Sequence, residues 1–362
     1  MTRAKTLAQF GDNIEDAGGA FPEASGVDVY ANVSVRPANN NTIADQAFIS
    51  DTTEFFIWTG SEWAEIPITA PPPPPPPMSG TVSGYTSGGS SPALRNVIDK
   101  FPFSSDINAA DVGDLTIARE VAAGQSSDVS GYTSGGGSPY SNIIDKFPFA
   151  TDTNATDAGD LTVARSFGAS QSSTQSGYTS GGSFPYTNVI DKFPFSSDSN
   201  ATDVGDLSVT RGEFSGGQSS SENGYSSGGY DNINYVNVID KFPFATDTNA
   251  TDVGDLTVVK GYAAGQSSSE SGYTSGGVAP SVSNVIDKFP FATDTNATDV
   301  GDLTVARHTP AGQSSTDNGY TSGGSTPSIS ILIDKFSFAT DGNATSVGNL
   351  TVSRRGGAGQ QD

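Results

Sequence analysis

The chain has 362 residues, 34% of them hydrophobic, with 43 glycines and 21 prolines; short strands joined by many turns fit that balance and long helices do not. Seventeen basic against 40 acidic side chains leave a net charge of −23, which opposes the counterion-release attraction of nucleic-acid binders and argues against nucleic acid and anionic membranes as partners. The absence of cysteine removes disulfides, thiolate metal sites and thiol nucleophiles.

In chain order, residues 1–43 show no hydrophobic period and read as an arm that orders against a partner. The opening Met1-Thr2-Arg3-Ala4-Lys5 is not followed by the apolar stretch of a secretory signal. No apolar run in the chain approaches the roughly 18 residues of a spanning helix, so a soluble protein without membrane contact is expected. Residues 44–67 predict a three-stranded meander with turns at Asp51-Thr52 and Gly60-Ser61, and both tryptophans, Trp58 and Trp63, fall in it. Residues 68–82 form a linker containing Pro71 to Pro77, which in polyproline II geometry spans about 22 Å as a semi-rigid spacer.

From residue 83 to 362 the sequence repeats. Gly-Tyr followed by Ser-Gly-Gly recurs at Gly84, Gly131, Gly177, Gly224, Gly272 and Gly319, at spacings of 47, 46, 47, 48 and 47. Each unit then carries an Ile-Asp-Lys-Phe strand, from Ile98 to Phe101 in the first through Ile333 to Phe336 in the last, and a stretch such as Val253 to Thr257. It ends on Gly-Gln or Ser-Gln. Four short β-type segments per unit make one propeller blade. Apolar residues at helical spacing are missing, which argues against a helical solenoid; a stacked β-solenoid is the alternative. Closure is favoured because the first unit opens at Ser83 without a Gly-Gln segment, and Ala358-Gly359-Gln360 supplies one at the other end. The expected fold is therefore all-β, a six-bladed β-propeller whose C-terminal strand completes the first blade.

The doubled glycines, such as Gly88-Gly89 and Gly135-Gly136, are followed by Asp and then by a strand-end Arg119, Arg165, Arg211, Lys260, Arg307 or Arg354. In this the units resemble kelch-type blades over about 280 residues, although the blade tryptophan is absent and Ile-Asp-Lys stands where Tyr-Asp-Pro is usual. Near-identical units of this kind are also similar to repeats in structural proteins of marine tailed bacteriophages. The 44–67 segment looks like a small module of phage tail-fibre and tail-tip proteins. These resemblances imply a virion location and attachment to other virion proteins through residues 1–67, as a homo-oligomer in the particle.

Segments repeated unchanged serve the shared fold, whereas segments that differ have been free to diverge. The differences cluster between the doubled glycine and the Ile-Asp strand, where Tyr140, Phe184, Tyr186, Tyr230 and Tyr235 stand, and between the strand-end cation and Gly-Gln, where Phe167, Phe214, Tyr262 and His308 stand. Alternating strand direction places both connections on one face of the disc. Tyr140, Phe167, Phe184, Tyr186, Phe214, Tyr230, Tyr235 and Tyr262 are the candidate ligand-binding residues, because aromatic rings offer sugars a flat apolar surface with a polar edge. The opposite face is acidic and nearly identical in all blades.

Other chemistry is weaker. Asp-x-Asn-x-x-Asp runs such as Asp152, Asn154 and Asp157 resemble a Ca²⁺ loop but lack its glycine and distant glutamate, and turn formation explains them as well. The Asn-Ala-Thr sequons, as at Asn154, carry little weight in a phage or bacterial setting. Six similar copies of paired aspartates, such as Asp203 and Asp206, lack the single asymmetric constellation that catalysis needs, and His308 is the only histidine. The Asp-Lys pair of the third strand is expected to tie blades, Asp of one meeting Lys of the next. The reading is a non-catalytic tail-fibre or adhesin component with no metal, catalytic residue or cofactor, whose aromatic face binds a host surface glycan or protein. A capsid or collar decoration protein is the alternative, and a propeller glycosidase or lyase acting on host polysaccharide a further one.

Overall fold

In the computed structural model the chain divides into two compact units, Met1–Pro73 and Pro74–Asp362. Residues 80–213, 216–278 and 280–362 are described in full, and before them the backbone of four strands. In the first unit Gln46–Ile49, Glu54–Trp58 and Trp63–Ile66 pair antiparallel in chain order, with Trp58 opposite Trp63. A fourth strand, Val27–Tyr30, joins parallel to Gln46–Ile49. Its partner begins well down the chain rather than across a tight turn, so no hairpin signal marks it in the sequence. The expected turns of this meander and the polyproline run lie outside the described residues.

The second unit is the propeller. Six four-stranded antiparallel sheets follow one another, the second from Ala123–Ser126, Ser130–Ser134, Ile143–Pro148 and Thr156–Asp160. The first sheet is built differently: Ala358–Gln361 pairs with Ser83–Ser87, which pairs with Val97–Pro102 and then Ala110–Asp114. The ring thus closes through the C-terminal strand, as the missing Gly-Gln segment required.

The Gly-Gln strands form the innermost layer and touch one another around the axis. They come so close that a Cβ on Gly124 would overlap the carbonyl oxygen of Gly359, one on Gly359 that of Gly312, and one on Gly312 that of Gly265. The intervening glutamine points away from the axis and joins blades. Gln125 Nε2 lies 2.9 Å from Tyr178 O and 3.0 Å from Thr179 Oγ1 of the next blade, and Gln360 closes the circle by reaching Tyr132 O at 2.9 Å. All six glutamines do this, so the buried amides are satisfied across each seam.

The apolar cores also lie between blades rather than within them. Tyr132 packs with Ile144 and Leu161 of its own blade and with Phe193 of the next, its ring stacked on Phe195 at 4.8 Å. The glycine before each tyrosine follows from this layer: Phe147 lies across Gly131, where a Cβ would overlap its ring.

The third-strand Asp and Lys each tie blades, but with other partners than expected. Asp191, fully buried, accepts from Arg165 Nη2 at 2.8 Å and from Thr162 N and Oγ1 at 3.0 and 2.7 Å, all of the preceding blade. Lys192 instead reaches Asp247 of the following blade at 2.9 Å on the surface. Successive residues of a strand face opposite ways, so the aspartate turns into the seam and the lysine outward. The strand-end Arg or Lys is therefore the buried partner at every seam, with Lys260 of the fourth blade 2.8 Å from Asp287 of the fifth.

The Asp-x-Asn-x-x-Asp runs divide into separate tasks of the same kind. Asp152 pairs with Lys100, Asn154 Oδ1 accepts from Asp114 N of the preceding blade, and Asp157 Oδ1 accepts from Gly159 N. Asp203, of the repeated aspartate pair with Asp206, likewise accepts from Gly205 N. The contacts of Asp152 and Asn154 tie neighbouring blades, those of Asp157 and Asp203 close turns within the outer strand, and together they account for the acidic face by turn and seam geometry.

Candidate ligand-binding face

On the opposite face, two residues past each strand-end cation, the chain turns sharply toward the axis. Val121, Phe167, Glu213, Tyr262, Thr309 and Gly356 all have left-handed φ, between 52° and 63°. Five of the six carry a side chain there, a conformation that costs roughly 1 kcal/mol or more each for non-glycine residues. Hydrogen bonds between successive blades hold them. Phe167 N donates to Val121 O at 2.8 Å, Val121 N to Gly356 O at 2.6 Å, Gly356 N to Thr309 O at 2.8 Å, Thr309 N to Tyr262 O at 2.6 Å and Tyr262 N to Glu213 O at 2.9 Å. These five bonds link six stations in a circle around the mouth of a central cavity of about 110 Å³, five of them bearing side chains that all differ.

Around half of this circle runs an unbroken arc of rings. Phe167 meets Tyr262 edge-on at 5.4 Å; Tyr262 lies 6.4 Å from Tyr235, Tyr235 5.2 Å from Tyr230, and Tyr230 6.2 Å from Tyr186. Phe184 continues it at 6.2 Å from Tyr186 and stacks on Tyr140 at 4.9 Å and 12°. Seven of the eight aromatic candidates thus form one contiguous surface over four blades, and Phe214 lies outside the described residues. Tyr140 and Phe184 are about half exposed, the others partly covered by their neighbours.

A carboxylate sits within the arc. Tyr186 Oη donates to Glu213 Oε1 at 3.2 Å. Burial, then the charge of Glu213, pushes the Tyr186 phenol up to about 12. Burial and the same carboxylate also raise Tyr235 and Tyr262, the latter with a hydrogen bond to Glu213. The phenols therefore stay neutral donors at physiological pH, which suits binding of hydroxyl-rich ligands. Glu213 was passed over in the sequence, where the aromatic Phe214 drew attention; counting two residues from Arg211 picks out Glu213, as Arg165 does Phe167.

The other half of the face is polar. Arg355 Nε lies 3.8 Å from Glu120 Oε2, which also accepts from Ser90 Oγ, and Arg95 Nη2 donates to Ser91 O at 2.9 Å. His308 stands between the halves, its ring 6.3 Å from Tyr262, and burial together with the charge of Arg355 lowers its pKa. A pocket of about 350 Å³ opens where the halves meet, lined by Phe167 and Tyr262, by Val278 and His308, and by Glu120 and Arg355.

Fold and face together define a six-bladed β-propeller with two chemically unequal faces. No family model matches the chain, and no curated protein sequence matches it.

Proposed function

We propose that the protein is a non-catalytic binding propeller, a tail-fibre or adhesin component of a phage virion that holds a host surface glycan through its aromatic face. The observation that carries this reading is the arc from Tyr140 to Phe167, seven rings in mutual contact around an axial pocket. Rings so arranged offer successive sugars apolar platforms, and the neutral phenols beside Glu213 supply hydrogen-bond donors and acceptors at their edges. The blades are kelch-like in this reading, on the doubled glycines with left-handed φ at Gly135 and Gly136 and the buried strand-end cation. Residues 1–67 join the head to other virion proteins, and the virion assignment rests on the resemblance of the near-identical units and of residues 44–67 to phage proteins.

The test has two parts. Binding of the full chain to a glycan panel and to host cells should be lost when Tyr140, Tyr186, Tyr230 and Tyr235 are changed together to alanine; retained binding would sink the reading. Immuno-electron microscopy of particles should place the protein at the tail, and a capsid position would favour the decoration protein.

A further inference from the structure

The aromatic arc explains why a sugar would lie on this face but not which sugar ends there. The pocket at its axial end is different in kind from the arc. Phe167, Tyr262, His308, Glu120 and Arg355 are among the residues that line its volume of about 350 Å³, the lower part of the range for small-ligand pockets. Arg355 is 46% exposed in its side chain, and its one charged contact is Nε to Glu120 at 3.8 Å. Its two terminal nitrogens have no acceptor among the described residues. This differs from the five strand-end arginines, which are buried and each paired with an aspartate of a seam. His308 adds no positive charge to the site. Burial and Arg355 hold the ring neutral, its Nδ1 lies 3.1 Å from Thr309 Oγ1, and Nε2 is left to exchange a hydrogen bond with a ligand hydroxyl.

From this placement we propose that the axial pocket takes a pyranose bearing a single carboxylate, a hexuronic acid, as the terminal residue of the bound glycan. The proposal rests on the reading of this face as glycan-binding and names the sugar class. The ring's apolar face lies against Phe167 and Tyr262, its hydroxyls meet His308, and its carboxylate takes the fork of Arg355, whose planar donors match carboxylate geometry. A neutral hexose would leave the guanidinium half-paired. A purely apolar acid would bury the free His308 nitrogen without a partner. The remainder of the chain carries a large negative charge, so selection of an anion here depends on one local cation. That makes the site unusually easy to test by a single substitution.

The experiment is calorimetric titration of the full chain with the methyl glycosides of glucuronic and galacturonic acid, their neutral glucose and galactose counterparts, and cyclohexanecarboxylate. One uronide should bind about tenfold or more tighter than its neutral counterpart, the scale of a charge-assisted hydrogen bond. Arg355→Gln should erase that difference, and Glu120→Gln, which frees the guanidinium of its counter-charge, should tighten uronide binding severalfold. Both variants should keep the parent melting temperature. Equal binding of acid and neutral sugar, or no heat with either uronide, overturns the proposal, and so does equally tight binding of cyclohexanecarboxylate. A blank glycan panel is a separate result that overturns the parent reading.

Discussion

Two ion pairs per seam look alike in sequence, yet their burial makes them energetically unequal, and Asp191 and Asp247 provide a matched comparison. The Arg165–Asp191 pair is 1% and 0% exposed, whereas Lys192–Asp247 is 27% and 55% exposed. Burial alone lowers the pKa of Arg165, and Asp191 opposes that shift. Asp191→Ala leaves a buried guanidinium with only Thr179 O as an acceptor among the described residues and also strips Thr162 of its two bonds to Asp191. Breaking a buried pair in this way costs about 3–5 kcal/mol. Asp247→Ala removes an exposed pair, worth at most about 1 kcal/mol. At roughly 2 °C per kcal/mol for a domain of this size, calorimetry should show Tm falling about 6–10 °C for Asp191→Ala and less than about 2 °C for Asp247→Ala. Equal shifts would refute the assignment of stability to the buried pairs.

Three further outcomes follow from the seams and the closure. Gly131→Ala sets a methyl into the Phe147 ring and should cost about 1–3 kcal/mol by chemical denaturation, the range for overpacking; an unchanged midpoint would contradict the packing. Burial raises the phenols of Tyr225 and Tyr320 from 10.0 to about 12. Above pH 10 the unfolded chain releases these protons while the folded chain keeps them, so this stability is full below pH 10 and falls as pH rises toward 12. Ultraviolet titration of native and unfolded protein should show the two ionisations apart. Deleting residues 356–362 removes the strand paired with Ser83–Ser87 and should lower Tm strongly and expose apolar surface to dye, whereas an unchanged melt would count against ring closure.

The blade was legible because its constraints repeat. Gly131 must be glycine because of Phe147, Gly124 because of Gly359, and six copies of the first with five of the second, Ser170 taking the place in the third blade, turn such contacts into a visible period. The closing strand was legible for the same reason, as a missing part at one end and a spare at the other. What stayed hidden were pairings that a single strand does not reveal. Asp191 and Lys192 are neighbours in sequence, and only the placement of Arg165 in the seam shows which is buried. The strand Val27–Tyr30 has its partner beyond any tight turn, so no local signal announced it. On the candidate face, aromatic residues marked the arc, whereas nothing in their residue type marks Glu213, Arg355 and Glu120 in an acidic chain with charged turns. Glu213 stands at the same station as Phe167 and Tyr262, two residues past the strand-end cation, and Glu120 and Arg355 stand one residue past theirs, where the other blades carry Ser166, Gly212, Gly261 and His308.

The most direct test of the account is binding of the full chain to a glycan panel, compared with a variant carrying Tyr140→Ala, Tyr186→Ala, Tyr230→Ala and Tyr235→Ala. The four rings lie on the surface of the candidate face and outside the buried cores of the seams. The account predicts a variant that melts like the parent and no longer binds. A variant that melts like the parent and binds undiminished would contradict it.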